Sequence, residues 1–88
     1  MSKPILYIKS KCPWCQDALK FFKSQGVKLN IVDVIENPNS LSEMVKLSGQ
    51  SLTPTFILND CVIADFSVEE FKEAIEKYPI VKSAIGLN

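Results

Sequence analysis

The chain has 88 residues, 47% hydrophobic and 23% charged, with ten basic residues balancing ten acidic ones. That length supports one modest core burying roughly 60–65% of the unfolded surface, so a single domain over residues 1–88 is expected. The composition excludes disordered and collagen-like chains, and the charge balance leaves no field to draw the protein onto nucleic acid. No apolar run is long enough to span a membrane. In "MSKPILYIKSK" lysines interrupt the apolar stretch before a signal-peptide core forms, so the expected location is the cytoplasm.

The predicted elements follow in chain order. "ILYIK" (residues 5–9) is a short apolar run, as in a strand covered on both faces. Cys15, Ala18, Leu19 and Phe22 fall at i, i+3, i+4, i+7, one stripe of a helix, with Gln16, Asp17, Lys20 and Lys23 on the wet face. Pro13 suits the first turn of that helix and Gly26 its end. "KLNIVDV" is a second strand. "SLSE" from Ser40 reads as a capping box for a short helix carrying Leu41, Met44 and Val45 and ended by Gly49. "TFIL" and "CVIA", split by Asn59-Asp60, read as a hairpin. "SVEE" from Ser67 is a second capping box, opening a helix whose Val68, Phe71, Ile75 and Tyr78 share a face and which Pro79 ends. The tail from Ile80 is expected to form a frayed helical turn. The order β-α-β-α-β-β-α predicts an α/β fold. A right-handed βαβ unit and a hairpin form a mixed four-stranded sheet with helices on both faces.

Cysteine placement carries the chemistry. Three cysteines cannot all pair within the chain, and the loop between Cys12 and Cys15 is too short for its closure to stabilise much. A reducing cytosol would open a purely structural bridge. A mononuclear zinc site needs about four ligands, and the chain has no histidine. Redox exchange is the favoured reading. Cys12 falls at the strand-to-helix junction, facing the unpaired N–H groups and positive dipole end of the helix, which favour thiolate over thiol. Lys9 and Lys11 add positive charge nearby. Cys15 lies one turn further in, on the buried stripe. One exposed attacking sulfur and one recessed resolving sulfur are what thiol–disulfide exchange requires.

With "YIKSKCPWC", "LTPTFILND" and this order of elements, the chain resembles a glutaredoxin, within the thioredoxin superfamily, over about residues 4–78. The family's usual Cys-Pro-Tyr-Cys is here Cys-Pro-Trp-Cys. The resemblance implies a thioredoxin-like fold, with Cys12 as nucleophile and Cys15 as resolving thiol. It implies Lys9 as a basic position helping the thiolate and the glutathione carboxylate, and Trp14 at the rim of the substrate groove. Thr53 and Pro54 match the family's valine and cis-proline. A cis bond there turns the Thr53 backbone outward, where it can pair with glutathione or a peptide disulfide as an extra strand does. Lys46 is matched to a residue contacting the glycine carboxylate of glutathione, against the plainer reading of a solvated helix lysine. Cys61 reads as a small core hydrophobe.

One landmark departs. Where the family carries Gly-Gly, a hydroxyl residue and an aspartate, this chain has Ala64, Asp65, Ser67 and Val68. Two small positions gain side chains and an amine-binding carboxylate is lost, so weaker glutathione binding is expected. Asp65 and Ser67 remain candidate substrate contacts. The implied function is reduction of protein disulfides and glutathione mixed disulfides, with glutathione as reducing co-substrate, no permanently bound cofactor, and a monomeric state. Alternatives are an electron donor re-reduced by thioredoxin reductase, as for ribonucleotide reductase, and a [2Fe–2S]-binding dimer, which the proline after Cys12 disfavours. No nucleic-acid or membrane partner is expected.

Overall fold

The computed structural model describes residues 3–87. Strand β1 (Ile5–Ile8) leads into helix α1 (Pro13–Ser24), then β2 (Asn30–Asp33), α2 (Pro38–Ser48), β3 (Thr55–Leu58), β4 (Cys61–Ala64), α3 (Val68–Ile75) and α4 (Pro79–Ala84). The four strands form one mixed sheet in the order β2-β1-β3-β4. β1 pairs parallel to β2 with Tyr7 opposite Val32 and antiparallel to β3 with Tyr7 opposite Thr55. β3 and β4 form the expected hairpin, Leu58 opposite Cys61, turned at Asn59, whose φ of +54° suits asparagine better than most residues.

Alternation along β1 divides the core. Leu6 and Ile8 face the side covered by α1 and α3, where they meet Ala18, Phe22, Phe56, Phe71 and Ile75. Tyr7 faces the other side, with Val34, Met44 and Ile57 under α2. The larger half is aromatic. The Phe22 ring meets Phe71 at 4.9 Å nearly edge-on and stacks on Phe56 at 5.8 Å. Such pairs add about 0.5–1.5 kcal/mol each beyond their buried area. They bind α1, β3 and α3 within the same core cluster that holds Cys15.

Local chemistry sets the boundaries. Helix α1 stops in a Schellman arrangement, Val27 N–H to the Phe22 carbonyl and Gly26 N–H to that of Lys23, with Gly26 at φ +71°. Ser67 caps α3: its hydroxyl accepts from Glu70 N–H while the Glu70 carboxylate accepts from Ser67 N–H. The box expected from Ser40 does not form. Helix α2 starts at Pro38, whose fixed φ suits a first helical position. The glutamate assigned to that box, Glu43, instead accepts a hydrogen bond from the Tyr7 hydroxyl. Burial and that carboxylate both push the Tyr7 hydroxyl well above the usual phenol range. Val45 is also not a core residue, at 40% exposed.

Pro79 opens a helix instead of ending one. Lys77 and Tyr78 N–H close a turn onto the Ala74 and Ile75 carbonyls, and α4 begins afresh at Pro79. The eighth element forms because the tail buries Val81 and Leu87 on the core, with Tyr78 and Ile85 packed beside them, while Ile80 points outward. No helix is long and apolar enough to cross a membrane among the described residues.

Candidate active site

Cys12 is the N-cap of α1, in extended conformation, followed by Pro13 at the first helical position. Its sulfur accepts the Cys15 N–H at 3.2 Å, the bond a serine or aspartate oxygen makes at other helix starts. The Cys12 N–H is in turn held by the Lys9 carbonyl at 3.1 Å, and Gln16 braces the same loop by donating to the Ser10 carbonyl at 3.1 Å. Gln16, on the wet face of the helix, therefore has a bracing role that helical periodicity alone does not reveal.

Cys15 is fully buried while Cys12 is half-exposed, and all three cysteines are free thiols. Burial pushes the Cys15 thiol up to about 11, aided by its neighbour Cys12 and opposed by hydrogen bonds involving the Thr53 side chain and the Lys9 backbone. Cys61 lies in the core as a small apolar residue, and burial alone pushes it up to about 11. The pair thus has one reachable sulfur that accepts the Cys15 N–H and one recessed sulfur whose proton burial helps to retain.

The segment before β3 closes the site from the opposite side. The Thr53–Pro54 peptide bond is cis, as the resemblance implies. The Thr53 carbonyl lies 3.8 Å from the Cys12 sulfur and accepts its S–H, and Pro54 is fully buried. The Pro54 carbonyl accepts the Asp65 N–H at 2.9 Å, which draws the loop after β4 alongside. Asp65 has φ +52°, a left-handed conformation that glycine adopts readily and aspartate at a cost. Beside this loop Trp14, Asp65, Phe66, Ser67 and Glu70 line a shallow hollow of about 210 Å³, with Trp14 57% exposed.

Of the residues expected at a substrate site, Trp14, Asp65 and Ser67 meet at this hollow, and Thr53 meets Cys12. Lys9 contributes through its backbone, and its side chain forms no ion pair among the described residues. Lys46 is exposed in the last turn of α2. Gln50 and Thr55, which motif and periodicity do not single out, bracket the turn at Thr53 through side-chain hydrogen bonds. The signal that could have found them is polar residues flanking a proline at the mouth of an otherwise apolar strand. No group of three or more acidic or cysteine side chains placed to hold a metal ion occurs among the described residues.

Comparison with known proteins defines the class. The glutaredoxin family model matches residues 5–63, which hold Cys12, Cys15 and all but the last residue of the hairpin. A glutaredoxin-like 8.6 kDa protein of the rubredoxin operon of Clostridium pasteurianum is 31% identical over 72 residues, covering 82% of this chain and 96% of that one. Glutaredoxin 3 of Escherichia coli K12 is 29% identical over 59 residues, covering 67% and 71%. A glutaredoxin from Archaeoglobus fulgidus superposes with a TM-score of 0.72 at 25% identity, covering 85% of this chain and 87% of that one. Wheat glutaredoxin shares the fold, with a TM-score of 0.70 at 18% identity over 99% and 85% of the two chains. The chain belongs to the glutaredoxin family. It is a glutaredoxin-like thiol redox protein on a thioredoxin-like fold.

Proposed function

We propose that this protein is a dithiol thiol–disulfide oxidoreductase that reduces protein disulfides and glutathione mixed disulfides, with Cys12 attacking and Cys15 resolving. The observation that carries it is the asymmetry of the pair: Cys12 at the helix cap with Cys15 N–H on its sulfur, Cys15 fully buried. In the first step the Cys12 thiolate attacks one sulfur of the substrate disulfide. A Cys12–substrate disulfide forms and the other substrate sulfur leaves as thiolate, to be protonated. Cys12 has then lost its negative charge, and with it one cause that holds Cys15 protonated. Cys15 gives up its proton and attacks the Cys12 sulfur. The second substrate thiolate is released and the Cys12–Cys15 disulfide remains, so the substrate gains two electrons. Two glutathione molecules return them, leaving as oxidised glutathione.

Thr53 serves as a docking edge in this reading, its main chain lying against the Cys12 sulfur where a peptide or glutathione backbone pairs alongside. Trp14, Asp65 and Ser67 form the groove wall, Pro54 holds that wall in place, and Lys9 supplies positive charge at its rim. The protein acts as a monomer in a reducing compartment such as the cytoplasm, without a resident cofactor.

A second reading has specific support. Asp65 keeps the backbone conformation of a glycine but carries a carboxylate into the groove that glutathione, with two carboxylates of its own, has to enter. A protein reductant such as thioredoxin reductase avoids that repulsion, and the Clostridium relative is described as belonging to the rubredoxin operon. Paired coupled assays separate the two. Glutathione with its reductase is compared with thioredoxin reductase at equal protein concentration. Turnover in the first assay supports the leading reading, turnover confined to the second supports the alternative, and turnover in neither contradicts both.

A further inference from the structure

Leu52 is half-exposed, yet both of its main-chain polar groups are held by side chains. Its N–H donates to Gln50 Oε1 at 2.6 Å, and its carbonyl accepts from Thr55 Oγ1 at 2.7 Å. The two side chains also bind each other, Gln50 Nε2 donating to Thr55 Oγ1 at 3.0 Å. Gln50 Nε2 reaches Ser48 Oγ at 2.9 Å as well, and Ser48 Oγ donates to the Met44 carbonyl at 2.6 Å, which ties the arrangement to α2. Thr55 is 0% exposed, and no buried side-chain nitrogen or oxygen lacks a partner among the described residues.

This bracket does little for the burial of Leu52, whose side chain stays in solvent. Its consequence falls on the next residue, Thr53, whose carbonyl meets the Cys12 sulfur. We propose that Gln50 and Thr55 are positioning residues that hold the Leu52–Thr53 main chain against Cys12 and so fix the edge on which a disulfide substrate docks. The inference rests on the docking role given to Thr53 above. An added strand is read through main-chain hydrogen bonds, and a site is productive only when held within about 0.5 Å of its working geometry. Misplacement by about 1 Å can cost as much as 10²-fold in rate. A turn tied at one residue by two side chains meets that tolerance where an untied loop would not.

The test compares Thr55→Val, which keeps the shape and loses the hydroxyl, with Thr55→Ser, which keeps the hydroxyl, and with Gln50→Leu. The substrate is the glutathione mixed disulfide of a model cysteine peptide. Thr55→Val and Gln50→Leu are expected to raise KM about five- to tenfold with kcat within about twofold, and Thr55→Ser to restore KM to near the parent value. Alkylation of Cys12 by iodoacetamide, which needs no docking edge, stays within about twofold in all three. Parent-like KM in Thr55→Val overturns the inference. So does failure of Thr55→Ser to recover it, or a parallel fall in alkylation, which means general damage to the site. Amide hydrogen exchange at Leu52 decides the matter independently of turnover. Faster exchange in Thr55→Val and Gln50→Leu but not in Thr55→Ser supports the bracket, and unchanged exchange overturns it. If the parent protein reduces no disulfide, the functional reading fails, while exchange still judges the bracket.

Discussion

Two buried thiols make this protein sensitive to alkali. Cys15 and Cys61 are each pushed from an ordinary value of 9.0 to about 11, mainly by burial. Below about pH 9 both the folded and the unfolded chain hold these protons, and the thiols confer no pH dependence. Between about 9 and 11 the unfolded chain releases them and the folded chain does not. Stability therefore falls as pH rises through that window, each thiol contributing at most about 1.4 kcal/mol for every pH unit crossed. Chemical denaturation at neutral pH and at the top of that window is expected to show the loss, and Cys61→Ala to show a smaller one. An equal alkaline loss in Cys61→Ala would mean that Cys61 contributes nothing to it.

At the same scale, Asp65 and Val68 explain an expected weakness toward glutathione. Leaving the ammonium group of the tripeptide without a partner costs about 1–3 kcal/mol, or roughly one to two orders of magnitude in affinity together with the Asp65 charge. The combined change Ala64→Gly, Asp65→Gly, Val68→Asp is expected to lower the Michaelis constant for glutathione by roughly tenfold or more. The Asp65→Gly part relieves a left-handed aspartate, so no large stability loss accompanies it. A folded triple variant with an unchanged Michaelis constant would show that this loop does not govern glutathione binding. The Cys-x-x-C spacing announces the thiols, but the conformation of Asp65 is a backbone property that the letters "ADFSV" do not reveal.

Among the elements, the helix starts show how local signals compete. Ser67 and Glu70 form their capping box because no other group among the described residues draws on either side chain. Glu43 leaves the box at Ser40 because Tyr7, on the neighbouring strand, offers a buried hydroxyl. Propensity marks both places alike, and tertiary contact decides between them. Pro79 departs from its expected role for a related reason: proline stops one helix and suits the first turn of the next equally well. The apolar tail settles which role it plays, since Val81 and Leu87 find core to cover. Ser67→Ala is expected to cost about 1 kcal/mol, read as a lower melting temperature with Cys12 alkylation unchanged. A variant as stable as the parent would show that the cap is dispensable. Phe71→Ala removes the ring that meets Phe22, Phe56 and Phe66, and is expected to cost about 3–5 kcal/mol, a large share of the stability of a chain this size. A loss below about 1 kcal/mol would contradict the account of the aromatic core.

For the whole molecule, the element order and a sheet covered on both faces follow from patterning along the chain, because apolar runs and helical stripes are written in consecutive residues, whereas the strand order β2-β1-β3-β4 is set by long-range pairing. The site is legible wherever its parts are local, as with Cys12, Pro13 and Cys15. Parts that meet across the fold, such as the Thr53 carbonyl at Cys12 and the Pro54 carbonyl at Asp65 N–H, depend on how the hairpin is laid against α1. The resemblance places Thr53 and Pro54 there; the Gln50–Thr55 bracket is marked in the sequence only by polar residues flanking that proline, and which of them bond to one another is set by the fold. All of these parts serve one claim, that Cys12 is the attacking sulfur and Cys15 the resolving one. The most direct measurement treats Cys15→Ser with oxidised glutathione and locates the trapped adduct by peptide mass spectrometry. The account predicts one glutathionyl group, carried by Cys12, released on adding a reducing thiol, and absent from the Cys12→Ser variant. An adduct on Cys61, or a folded Cys15→Ser protein that traps none, would contradict it.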